Sequence, residues 1–288
     1  MERDHQGRKR GRTAPWLLLG PGMLWLALFF FFPLYTLGRM ALSARPSRFG
    51  NPVFGWEWSN FDSAFSRYGD QFVRSFWYAF LATVLALVIA YPLAYVIAFR
   101  GGRFKTVLLG LVVVPFFTNF LIRTLAWKTI LGDQGAVVDT LRFLGVLGAG
   151  DGLLRTPVAV VGGLTYNFLP FMVLPIYVAL EKIDPRLVDA ARDLYSNTWR
   201  AFRKVVFPLS LPGVFAGSLL VFIPAAGDFV NSYYLGNAKT TMIGNVVQDQ
   251  FLAQVNYPVA AALSFVFMAI VMVLVLIYAR ALGTEDLA

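Results

Sequence analysis

Six apolar stretches constrain this chain more than any other feature. They run at roughly 16–38, 72–99, 106–130, 156–180, 213–236 and 257–279. A hydrocarbon core of about 30 Å is crossed by about 20 helical residues, so each stretch is long enough to span a bilayer. Backbone N–H and C=O groups in lipid need partners, which only helices and closed barrels supply. A barrel would show strands of about 10 residues that alternate apolar and polar. The run Leu81-Ala82-Thr83-Val84-Leu85-Ala86-Leu87-Val88-Ile89-Ala90 does not alternate, so helices are predicted. Composition agrees. Of 288 residues, 58% are hydrophobic and 14% charged, against about 25% charged in soluble proteins. The predicted class is all-α, a polytopic membrane protein with six transmembrane helices.

The first span resembles a secretory signal in its basic tail and in the faint cleavage pattern Ala41-Leu42-Ser43. Its apolar run exceeds the about 7–15 residues of a signal core, so a retained helix is expected. Pro33 should kink it near its outer end. Fifteen Lys and Arg residues fall in the tail, the 100–105 loop, the 181–212 loop and the C-terminal end, against six in the alternate loops. Positive charge concentrates on the cytoplasmic side of membrane proteins, which puts both termini inside. The organisation is then a basic tail at 1–15, a membrane domain at 16–280 holding the 181–212 loop, and a tail at 281–288. The outer loops fall near 39–71, 131–155 and 237–256. The first carries Trp56, Trp58, Phe61, Phe65 and Tyr68, a density that suits a short helix at the headgroup level.

The chemistry of catalysis is missing. There is no Cys and a single His, His5, in the tail. No zinc-protease motif, intramembrane Ser–His pair or thiolate metal site can be assembled from that inventory. Gly236-Asn237-Ala238-Lys239-Thr240-Thr241 approaches a phosphate-binding loop but lacks the Gly before the Lys and follows an apolar helix. No cofactor and no nucleic-acid partner are expected. Transport or passive conduction remains.

The 181–212 loop is the one sizeable inner loop and reads as two short helices. Asp184 caps the first, with Pro185 at its first position. Leu187, Val188, Ala191, Leu194 and Tyr195 recur at helical spacing as one apolar face. Ala190 and Ala191 are small enough for close approach of another backbone. In the second helix Trp199, Phe202, Val205 and Val206 form the apolar face beside a basic stripe of Arg200, Arg203 and Lys204. Pro208 and Pro212 punctuate the return to the membrane. On amphipathicity alone the loop could equally fold back on its own bundle.

Asp189-Ala190-Ala191, then Tyr195, then Val205-Val206-Phe207-Pro208, resembles the "EAA" signature of ABC importer permeases. That signature runs Glu-Ala-Ala, three residues, Gly, nine residues, Ile, any residue, Leu-Pro. Both Ala and the Pro match. Tyr195 in place of Gly is the main departure. Further stretches resemble permease subunits of spermidine/putrescine systems. They are Pro115-Phe116-Phe117-Thr118-Asn119-Phe120-Leu121-Ile122-Arg123-Thr124, Leu131-Gly132-Asp133-Gln134-Gly135, Leu220-Val221-Phe222-Ile223-Pro224-Ala225, Leu235-Gly236, Ile243-Gly244-Asn245-Val246 and Gln250-Phe251. The subfamily also moves aminophosphonates and opines.

This resemblance implies a type I importer permease of the bacterial inner membrane, with no catalytic role of its own. It implies as partners a second homologous permease subunit, a cytoplasmic ATPase dimer and an extracytoplasmic substrate-binding protein, with the lipid bilayer around the membrane domain. Asp189, Ala190, Ala191, Tyr195, Val205 and Pro208 would couple the chain to the ATPase, on a helix from Pro185 to Ser196. An ion-coupled carrier, a channel and a purely structural subunit are the rival classes. A cation pathway needs acids for charge and aromatics for cation–π contact. Its candidates are Trp127, Tyr166, Asp228, Asn231, Tyr233 and Tyr234, with Asn167 beside them. Trp127, Tyr233 and Tyr234 also suit an interfacial belt, and Asn119 and Asn167 suit helix bridging. Asp228 and Arg123 fall at similar depth if their spans are straight, so Asp228 could pair with Arg123 or serve the cargo.

Overall fold

A computed structural model describes residues 14–45, 50–148, 150–195 and 197–281. The expected tails at 1–15 and 281–288 fall almost wholly outside the described residues. The chain begins with α1 (Ala14–Leu26) and α2 (Phe32–Ala41), joined by a π-helical turn at Ala27–Phe31. Pro33 lies in the first turn of α2, where its missing N–H is accommodated by that turn. A two-stranded antiparallel ribbon follows. It joins β1 (Ser43–Ala44) to β2 (Val53–Phe54), with Ser43 opposite Phe54.

The next helix, α3 (Ser59–Arg100), has 42 residues, about 63 Å at 1.5 Å per residue. The second span was expected to begin at 72, after a separate aromatic helix. No proline or extended residue interrupts 59–74, so Phe61, Phe65 and Tyr68 belong to the first part of α3 itself, while Trp56 and Trp58 precede it. One face of α3 is a stripe of small residues. Ala79, Ala82, Ala86, Ala90 and Ala94 are all fully buried. Their spacing of three and four residues keeps them on one side, where another helix can approach closely.

The third span is broken rather than straight. The chain runs through α4 (Lys105–Val113), a 3-10 turn at Val114–Phe117 and α5 (Phe120–Ile130), and the two halves bend by 95°. Pro115 withholds a donor, Thr118 is extended, and Asn119 Oδ1 accepts from the backbone N–H of Leu121 at 2.9 Å. Those features stop one helix and start the next. The depth assigned to Arg123 on a straight helix therefore does not hold.

After α6 (Ala136–Phe143) come α7 (Pro157–Glu181), α8 (Pro185–Tyr195) and α9 (Thr198–Ala201). A π-helical turn at Phe202–Val206 leads into α10 (Phe207–Ala226), giving one continuous rod from Thr198 to Ala226. Pro208 and Pro212 thus lie within helix and do not punctuate a return loop. The rod ends earlier than the expected 236. Gly227, Asp228 and Phe229 break it, and α11 (Val230–Leu235) and α12 (Ile243–Gln248) follow before α13 (Tyr257–Ala281). Among the described residues five helices are long and apolar enough to cross a membrane, or six if the bent pair counts as one span.

The core is the triple packing of α3, α7 and α10. Gly213 is required where α10 meets α7, since a Cβ there would stand 2.5 Å from the Pro175 carbonyl oxygen. Gly217, one turn on, faces Met172 in the same way. Leu164, Met172, Val173, Ile176 and Leu180 of α7 are fully buried between the other two helices. At the end of the bundle that carries α8, the loop end, Lys105 forms an ion pair with Glu181, and Tyr91 hydroxyl lies 2.7 Å from Ser210 Oγ.

Candidate functional site

The break after α10 decides what Asp228 does. A carboxylate inside a straight helix would point into lipid or a cavity. Here it stands just before α11, where Oδ1 accepts the backbone N–H of Asn231 at 2.8 Å and its side-chain amide at 3.2 Å. A short acceptor before the first helical turn satisfies donors that the helix cannot. The segment is held down by backbone contact as well. A Cβ on Gly244 would come 2.5 Å from the Gly227 carbonyl oxygen.

From Asp228 a chain of hydrogen bonds crosses the bundle. Asn231 Oδ1 accepts from Asn167 Nδ2 of α7 at 2.9 Å. The same Asn167 amide donates to Thr124 Oγ1 of α5 at 3.1 Å. Thr124, Asn167 and Asn231 are fully buried, and Asp228 nearly so. Gly163, one turn before Asn167, leaves the room that α11 occupies, since a Cβ there would stand 2.7 Å from Asn231 Oδ1. Asn167 Oδ1 is buried with no donor.

Arg123, next to Thr124, is 8% exposed. Its guanidinium lies over the rings of Phe116 at 5.3 Å and Phe120 at 5.8 Å, and its Nε has no partner. Among the described residues Arg123 and Asp228 form no ion pair. The bend at Thr118 redirects α5, and the break at Gly227 redirects Asp228, so each finds a different partner.

The aromatic candidates sort into two places. Trp127 and Tyr166 meet edge to face at 5.2 Å, beside Asn167 on α7 and one turn from Thr124 on α5. Tyr233 and Tyr234 meet edge to face at 5.0 Å. Tyr233 is exposed and borders a cavity of about 580 Å³ shared with Tyr68, Thr241, Asn245, Asp249 and Gln250. Thr124 was not singled out by sequence. It resembles any helix threonine until the bend brings it under α7. Asn119, weighed as a helix bridge, is instead the cap of α5.

At the loop end, α8 divides the coupling candidates. Val188 and Ala191 are buried against the chain's own core, whereas Ala190, Leu187 and Leu194 are exposed. The predicted apolar face is therefore split, with Val188 and Ala191 turned inward and Leu187 and Leu194 outward. Asp189 is exposed, Val205 is half-buried, Pro208 is exposed in the first turn of α10, and Tyr195 ends α8. The α9 segment is anchored from below. Phe202 packs edge to face on Tyr91 at 5.7 Å and on Tyr95 at 5.9 Å, and Trp199 stacks on Phe202.

Residues 90–283 match the family described as binding-protein-dependent transport system inner membrane component. The chain is 38% identical over 259 residues to the spermidine/putrescine transport system permease protein PotB of Escherichia coli (strain K12), covering 89% of this chain and 94% of that one. It is 44% identical over 179 residues to the protein of the same name from Haemophilus influenzae, covering 62% and 63%. Among solved structures, a bacterial alginate ABC transporter in complex with its alginate pentasaccharide-bound periplasmic protein superposes with a TM-score of 0.68. It does so at 16% identity over 95% of this chain and 94% of that chain. With its broken third span, its triple-helix core and its α8 loop, the chain belongs to the family of inner-membrane components of binding-protein-dependent transport systems and has the type I ABC importer permease fold.

Proposed function

We propose that this chain forms half of the translocation pathway of an ATP-driven importer whose cargo is a polyamine of the spermidine/putrescine class. The observation that carries the reading is 38% identity over 89% of the chain to a permease named for that cargo. The site chemistry fits. A carboxylate supplies charge for an ammonium group, and the Trp127–Tyr166 and Tyr233–Tyr234 pairs supply ring faces for ammonium and methylene groups. Arg123 and Asp228 do not form the intramembrane pair that an ion-coupled carrier commonly uses.

In this reading the loop end faces the cytoplasm, consistent with its Lys and Arg excess. A second, homologous permease subunit completes the pathway, and an extracytoplasmic binding protein delivers cargo. A dimeric ATPase engages α8 through Leu187, Ala190 and Leu194, while Val188 and Ala191 fasten α8 to the bundle. Movement of α8 is passed through Phe202 to α3 and through the Lys105–Glu181 pair to α4 and α7. The switch needs contacts that differ between the two states, since a ligand shifts an equilibrium only by its differential affinity.

The test is the reconstituted complex with its ATPase and binding protein, assayed for hydrolysis and uptake. Spermidine or putrescine should stimulate both. Stimulation by an aminophosphonate or an opine, with no response to either polyamine, would replace the cargo class and leave the importer reading standing.

A further inference from the structure

We infer that Asn167 is a positioning residue for cargo transport, acting on the Asp228 carboxylate through Asn231. The inference rests on the reading of Asp228 as a pathway acid. The geometry has a direction. Asn231 donates to Asp228 through both its backbone and its side chain, which leaves only Oδ1 to be oriented from elsewhere. Asn167 does that orienting, at 2.9 Å. Asn167 is itself fixed by Thr124 across the helix boundary, at 3.1 Å. The Asn231 amide is thus oriented with its N–H toward the carboxylate and its Oδ1 toward Asn167, which donates to Asn231 on one side and to Thr124 on the other.

The unpartnered Asn167 Oδ1 argues for the same role. Leaving a buried carbonyl oxygen without a donor is costly, and an apolar residue of similar shape would avoid that cost. The fold keeps the amide, and what the amide does is hold Asn231. The network also joins three separate helices: α5 in the far half of the bent pair, α7, and the short α11 beyond the break. A shift of α11 against α7 lengthens the Asn167–Asn231 bond first, and so changes the direction in which Asp228 presents its oxygens.

A double-mutant cycle in the full reconstituted complex tests this. Asn167→Leu removes the amide at nearly constant shape, and Thr124→Val removes only its far support. Asn167→Leu should raise KM for polyamine uptake about tenfold, the scale of one lost hydrogen bond to a network that ends on a charge. The maximal rate and the yield of assembled complex should stay near parent values. Thr124→Val should raise KM by less. In an Asp228→Asn background, both substitutions should have no further effect, because a residue acting through Asp228 has nothing left to act on. The same fold-change in both backgrounds overturns the proposal, as does loss of assembly in both Asn167→Leu and Thr124→Val, which marks a purely structural network. Parent uptake by Asp228→Asn with Asn167→Leu still impaired overturns the pathway reading of Asp228 itself, and with it this role for Asn167.

Discussion

Leu194→Ala tests the coupling surface most directly, because the structure separates outward from inward residues on one short helix. Leu194 is 75% exposed and Leu187 is 51% exposed, one heptad apart on α8, while Val188 and Ala191 are buried. Burying a whole leucine side chain is worth about 1.5–3 kcal/mol. Three-quarters of the upper half of that range gives about 2 kcal/mol for Leu194 in an ATPase groove. Each 1.4 kcal/mol is tenfold in affinity, so Leu194→Ala should weaken ATPase association by about 30-fold. The free permease should keep its thermal stability, since a largely exposed side chain contributes little to it. Val188→Ala reverses the pattern. It opens a small cavity in the permease, costs about 1–2 kcal/mol of stability and leaves the docking face intact. Both variants are to be read in detergent, by titration of the purified ATPase and by thermal melting. Parent ATPase affinity in Leu194→Ala, or selective loss of ATPase binding in Val188→Ala, would refute the assignment of faces.

Three further outcomes are expected. With no native Cys, Asn197→Cys should react only with reagent on the cytoplasmic side and Asn237→Cys only from outside, and an impermeant maleimide that labels position 197 in intact cells would invert the proposed topology. Gly213→Val should sharply lower the yield of folded permease, because its side chain would overlap the Pro175 carbonyl and Ala179, whereas Gly110→Ala, in open space on α4, should express normally; equal yields would contradict the α7–α10 packing. Arg123→Gln and Asp228→Asn should affect complex yield independently, since the two side chains hold different partners; recovery of yield in the double variant would show an ion pair instead.

The break at 227–229 shows how far a linear reading reaches. Pro224 and Gly227 are helix-ending signals, but α10 runs through Pro224 and stops two residues later, at Ala226. Proline also sits inside α3 and α7 without ending them. Within packed apolar helices a proline is tolerated wherever neighbours satisfy the freed carbonyl. Local sequence therefore marks candidate breaks without choosing among them. The third span repeats the lesson. Pro115, Thr118 and Asn119 all bore on the bend, yet apolarity across 106–130 favoured one straight helix.

By itself the sequence determined the class of molecule. Apolar stretches of spanning length demand internally paired backbone, and that leaves a helical bundle. It also placed the α8 loop, whose amphipathic pattern and Asp189-Ala190-Ala191 signature are local properties. Tertiary structure decided which face of each helix meets which neighbour. Helical spacing put Leu187, Val188, Ala191 and Leu194 on one apolar face, but only Val188 and Ala191 are buried within the chain. Asn167 and Asn231 are separated by 64 residues, and Thr124 lies 43 residues before Asn167. They meet because a bend, a helix break and a glycine at 163 bring three helices together. The physical reason is that hydrophobic burial depends on how much apolar surface a segment carries, which composition records, whereas hydrogen bonds depend on direction and on distances within about 3 Å. Those directions exist only once the helices have packed.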